Sequence, residues 1–147
     1  MEPFLAIAHY LMIFATVALV LGEFVLLRLE ATGQALALLG KIDMFYGIFA
    51  LLVVATGLMR VFLGDVAPSV WGASHAFWTK MALFGVIGLL SAFPTLKYFA
   101  WRKAFAAQGT LPNQDDRKKA SLVVALQLGL YLLMPVMAVL MAEAAEK

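Results

Sequence analysis

Apolar residues fill four long stretches of this chain, at residues 4–29, 42–63, 77–99 and 120–141, and polar residues gather between them. A helix rising about 1.5 Å per residue needs about 20 residues to cross a hydrocarbon layer of about 30 Å, and every stretch reaches that length. The pattern predicts an all-α integral membrane protein, a four-helix bundle forming one domain over residues 1–147. The separators carry turn chemistry: Gly33 and Gly40, then Gly64-Asp65 and Pro68-Ser69, then Gly109 with Pro112-Asn113-Gln114-Asp115-Asp116. Met1-Glu2-Pro3 lacks a positive n-region and the apolar run continues to Leu27, so the first stretch reads as a retained helix rather than a signal peptide.

Lysine and arginine in short connections set orientation. The third connection carries Lys97, Arg102, Lys103, Arg117, Lys118 and Lys119, whereas the second has only Arg60 and Lys80 at its edges. The third connection is therefore expected in the cytoplasm of a bacterial inner membrane, with both termini periplasmic.

Composition narrows the chemistry further. Of 147 residues, 64% are hydrophobic and 14% charged, with a mean hydropathy of +0.93; soluble domains carry about 25% charged residues. Lipid is the solvent this surface fits. A net charge of +2 and the lack of a basic, aromatic-interleaved stripe argue against nucleic acid as a partner. With no cysteine, disulfides, iron–sulfur clusters and thiolate metal sites are excluded. The eight methionines form no Met-x-x-Met copper pattern, and no nucleotide loop, nucleophile elbow or zincin pair occurs.

The informative residues are the polar ones inside the spans, because an ionisable side chain at membrane depth costs about 2.5–3.5 kcal/mol on insertion scales. In the first span His9, Thr16 and Glu23 recur every seventh residue, which keeps them on one face, expected to point inward. In the second, Asp43, Gly47, Ala50, Val54, Gly57 and Arg60 form a stripe of small and polar residues, expected to be a close-packing surface. Lys80, Phe84, Gly88, Ser91, Thr95 and Tyr98 share a face of the third, beside Pro94. Gln127, Tyr131, Met134 and Ala138 do so in the fourth, beside Pro135.

By depth these residues sort into two layers. His9, Arg60, His75 and Lys80 lie toward the expected periplasmic side, a positive set suited to an anionic ligand, with an imidazole available to a metal. Glu23 and Asp43 lie toward the other side, where Arg28 and Lys41 are expected to pair with them. Each residue also has a plain reading: His9 solvated among headgroups, His75 an ordinary loop residue, and Arg60 and Lys80 snorkelling to the interface.

The motifs Asp43-x-x-Tyr46-Gly47, Thr56-Gly57-Leu58-x-Arg60-Val61, Phe77-Trp78-x-Lys80, Ser91-x-x-Pro94-Thr95 and Trp101-Arg102 resemble an uncharacterised family of predicted four-helix bacterial membrane proteins. That family is distantly similar to HemJ-type protoporphyrinogen IX oxidases and to the membrane part of CopD proteins. The segment Gly22-Glu23-Phe24-Val25-Leu26-Leu27-Arg28-Leu29 is similar to the end of the HemJ-type first helix, with Glu23 in place of an apolar residue. The resemblance implies a haem b cofactor, with His9 as the essential first-helix histidine and metal ligand and Lys80 as the later lysine.

Three functions are compatible with these residues. The first is a haem b redox protein. There His9 is an axial ligand, His75, Lys80 or water takes the second axial position, Arg60 or Lys80 pairs with a propionate, and electrons pass to a membrane partner. The second is a small ion or solute transporter using Glu23, Asp43, His9 and Lys80, with homo-oligomerisation making up for the small number of helices. The third is an assembly subunit packing on larger membrane proteins. Orientation is open to a direct check: a reporter fused at the C-terminus is expected to be active only in the periplasmic form, and cytoplasmic activity there would invert the layers.

Overall fold

Helix ends follow capping chemistry rather than the edges of the apolar runs. Thr32 accepts a hydrogen bond from the Ala35 N–H at 3.0 Å, Ser74 from Phe77 N–H at 3.2 Å, and Asn113 Oδ1 from Asp116 N–H at 2.8 Å, so three helices begin at these side chains. Gly109 stops the one that Ser74 begins, in a left-handed conformation, φ 67°, that a residue with a Cβ adopts only with strain. The computed structural model describes residues 2–145, and the side chains of residues 3–140. Its elements are α1 (Glu2–Arg28), α2 (Gly33–Leu63), the short α3 (Pro68–Ala73), α4 (His75–Gln108) and α5 (Gln114–Ala145). The described residues contain no strand.

α1, α2, α4 and α5 are each long and apolar enough to span a membrane, as expected. Two local expectations fail. The six basic residues assigned to the third connection sit on helical extensions of α4 and α5, and only residues 109–113 connect the two helices. Pro68-Ser69, read as a turn, opens the one-and-a-half-turn α3, where proline at the helix start loses no hydrogen bond. Hydropathy marks where lipid ends; caps mark where a helix ends, and here these differ by two to three turns.

The four long helices form a ring in the order α1, α2, α4, α5, each packed on two neighbours. The diagonal pairs, α1 with α4 and α2 with α5, make no backbone approach. Large apolar side chains cover the outside, as with Leu89 at 79% exposure, the surface expected in hydrocarbon. Inside, Val20, Leu27, Leu36, Leu39, Ile87, Trp101 and Val124 fill the half nearest the α1–α2 and α4–α5 connections. The opposite half is open around a cavity.

The small-residue stripe of α2 is used at one end only. A Cβ on Gly57 would stand 3.2 Å from the His9 ring, so this glycine admits the imidazole of α1 against the α2 backbone. At Gly47 on α2 and Gly88 on α4 the same construction meets nothing within 4 Å. The expected close-packed surface is there a cleft between α2 and α4, the thinnest seam of the ring.

Gly57→Leu is accordingly expected to destabilise the bundle by roughly 1–3 kcal/mol, because a branched side chain there displaces the His9 ring from its place against the α2 backbone. Leu52→Ala, on the lipid-facing side, should change stability far less. Thermal unfolding of both variants in detergent makes the comparison, and equal stabilities would refute the α1–α2 contact.

Candidate functional site

All four long helices and α3 contribute to the cavity in the open half, about 320 Å³ in volume. Among the described residues its lining is mainly aliphatic and aromatic, with three basic side chains, His9, Arg60 and Lys80, and no carboxylate. The sequence-predicted set is thus brought together except for His75. That residue is exposed at the start of α4, is absent from the lining, and offers only its carbonyl to Thr79 Oγ1 at 2.9 Å.

His9 is 5% exposed, which rules out the headgroup-solvated reading. Its Nδ1 lies 2.8 Å from Thr56 Oγ1. Thr56 has one hydroxyl proton and its oxygen also lies 2.7 Å from the Leu52 carbonyl and 3.2 Å from that of Val53; with the proton on a carbonyl, the Thr56 oxygen accepts from His9 Nδ1–H. In that arrangement Nε2 keeps its lone pair, whereas a Thr56 proton given to Nδ1 puts the ring hydrogen on Nε2. Lys80 is half-buried and has no ion-pair partner among the described residues. Arg60 is also half-buried, with its guanidinium 5.8 Å from the centre of the Tyr10 ring. The described residues hold no cluster of three or more histidines and carboxylates.

Thr56 and Trp71 are functional candidates that pattern reading missed. Trp71 lines the cavity from α3, and its buried indole N–H has no acceptor among the described residues. Thr56 stands beside Gly57 in the sequence, and that adjacency was the available signal; nothing local could place Trp71, because α3 reaches the cavity only through the fold.

A second polar group lies in the packed half and ties the diagonals of the ring. Tyr98 on α4 donates to Glu23 Oε2 on α1 at 3.1 Å. Tyr46 on α2 donates to Gln127 Oε1 on α5 at 3.2 Å, and its oxygen is also 3.2 Å from the Tyr131 hydroxyl. An amide oxygen cannot donate, so the Tyr46 proton is committed to Gln127 and Tyr131 donates to Tyr46. On the α2–α4 side, Thr95 donates to Asp43 Oδ1 at 2.8 Å.

These contacts correct the expected ion pairs of Glu23 and Asp43 with Arg28 and Lys41. Five residues along a helix turn Arg28 about 140° away from Glu23, and its guanidinium sits 4.7 Å from the centre of the Phe24 ring. Lys41 is exposed. Among the described residues the ion pair in this region is Lys97 with Asp116 at 3.6 Å, between the extensions of α4 and α5.

Because two buried polar groups rely on Tyr46, Tyr46→Phe is expected to cost roughly 1–2 kcal/mol, while Tyr10→Phe, at an exposed ring without a hydroxyl partner, should cost little. Chemical or thermal unfolding in detergent measures both. Indistinguishable variants would remove the α2–α5 diagonal as a source of stability.

No curated protein and no solved structure matches the chain. The family described as "Predicted membrane protein (DUF2214)" matches residues 1–144, and so takes in all four spans, both polar groups and the cavity between the helices. The chain belongs to this family of predicted membrane proteins, DUF2214.

Proposed function

We propose that the chain is a haem b-binding redox protein of the bacterial inner membrane, with His9 as the axial ligand. The observation that carries this reading is the His9 imidazole, buried at an apolar cavity with Nδ1 held 2.8 Å from the Thr56 hydroxyl, a contact that leaves Nε2 its lone pair when Nδ1 donates. Metal-bound histidines characteristically donate their other ring nitrogen to an acceptor, which fixes both tautomer and orientation.

The rest of the lining narrows the ligand class. A bare metal ion would require more protein ligands than one imidazole, whereas a porphyrin brings its own nitrogens and needs one or two axial positions filled. Its carboxylates would meet Lys80, Arg60 and the unpartnered Trp71 N–H, and its apolar rim would lie against Ile13, Phe84 and Met134. The cavity volume falls at the low end of the roughly 300–1,000 Å³ of small-molecule and cofactor sites. Bound haem would supply one-electron chemistry, and the protein orients it, excludes water and neutralises its acidic groups.

In this reading His9 and Lys80 take the roles that the resemblance of residues 22–29 to the end of the HemJ-type first helix implies for a first-helix histidine and a later lysine. With the basic extensions of α4 and α5 in the cytoplasm, the cavity opens toward the periplasmic half, where an electron-transfer partner in the membrane would reach it.

Absorption spectroscopy of the protein purified after expression with ample haem tests this. A Soret band with reduced α and β bands is expected. His9→Ala should abolish it in a protein that remains folded, Thr56→Val should weaken haem affinity by about 10–100-fold as an outer-shell change, and His75→Ala should leave the spectrum unchanged. A featureless spectrum, or a haem spectrum unaltered by His9→Ala, would refute the ligand assignment.

A further inference from the structure

We propose that Glu23 is a proton-binding site inside the membrane, and that Asp43, at the cleft between α2 and α4, is the group through which its proton exchanges. Glu23 is 1% exposed, and its surroundings are built for a neutral carboxyl. Oε2 accepts from the Tyr98 phenol, while Oε1 is buried with no partner among the described residues. An ionised carboxylate so placed would need several donors or a cation to offset its lost hydration.

Every element around Glu23 withholds a cation. α2 presents Asp43 and Tyr46, α5 presents Tyr131, and α4 presents Tyr98; each of these is electrostatically coupled to Glu23 and none is positive. Of the neighbouring cations, Arg28 lies over Phe24, Arg117 donates to the Leu27 carbonyl at 2.9 Å, and Lys97 pairs with Asp116. A purely structural acceptor for Tyr98 could have been an amide; a carboxyl adds a transferable proton and nothing else that this packing uses.

Asp43 supplies the route. α1 and α2 pack so that a Cβ on Gly22 would stand 3.5 Å from Ile42, which puts the two carboxyl-bearing turns side by side. Asp43 is half-buried and lines the α2–α4 cleft, about 290 Å³, with Thr95 holding its Oδ1. Thr95 and Tyr98 are one turn apart on α4, so a single helix face orients both carboxyls. The site needs no haem, and its test is separate from that of the cavity.

Infrared spectroscopy of the purified full chain reads the proton directly. Wild type at neutral pH should show the C=O band of a protonated carboxyl above the amide I band, and glutamate-specific 13C labelling should shift it. Glu23→Gln, isosteric and still an acceptor for Tyr98, should remove the band; Tyr98→Phe should raise its frequency by removing a hydrogen bond to the carbonyl. In D2O the band should shift as the proton exchanges, and Asp43→Asn should slow that shift several-fold while leaving the band in place. A glutamate band absent from wild type, or surviving in Glu23→Gln, would overturn the proton site. Exchange at the wild-type rate in Asp43→Asn would overturn the route.

Discussion

Hydrocarbon offers no hydrogen bonds, so a polar side chain carried into a membrane must find its partner on another part of the protein or leave a costly group unmet. In this bundle that constraint acts across the diagonals. Adjacent helices are held by apolar packing, but α1 and α4, or α2 and α5, have no backbone contact, and it is Glu23–Tyr98 and Tyr46–Gln127–Tyr131 that join them. Tyrosine suits the task because its long rigid ring carries a hydroxyl across the bundle axis while the ring itself adds apolar burial. Two crossing ties also specify which helix lies opposite which, a choice that uniform apolar packing leaves open.

Rigidity in one half permits openness in the other. Where Val20, Leu27, Ile87 and Val124 meet, the ring is filled; toward residues 9, 57, 80 and 134 the helices surround a cavity instead. Glycine serves opposite purposes in the two seams of α2. At Gly57 it lets an imidazole approach the backbone, and at Gly47, facing Gly88, it keeps a cleft open between α2 and α4. Tyr131 and Phe84 line both spaces and form the wall between them.

The interior is also divided by charge. His9, Arg60 and Lys80 surround the cavity, whereas Glu23 and Asp43 occupy the packed half, and no ion pair joins the two sets among the described residues. A bundle that only needed to neutralise its buried charges would bring acid and base together. Separating them leaves the carboxyls to be stabilised by hydroxyls, and on this division rests the reading of each end as a site.

The sequence by itself determined the solvent, the number of spans and the inward face of α1. Length and hydropathy are local quantities, and the seven-residue recurrence of His9, Thr16 and Glu23 placed all three in the interior, where they are buried. It also brought His9, Arg60 and Lys80 to one level. Only the tertiary structure decided the partners. A polar residue in a span must be satisfied, but periodicity does not say by whom: Glu23 faced a nearby arginine in sequence and a distant tyrosine in space, because helical rotation turns Arg28 outward and the ring order sets α4 opposite α1. For the same reason His75 and Trp71 exchanged places as candidates. Both stand near α3, yet one is exposed while the fold lays the other over the cavity, and neither outcome is written in the spacing of residues along the chain.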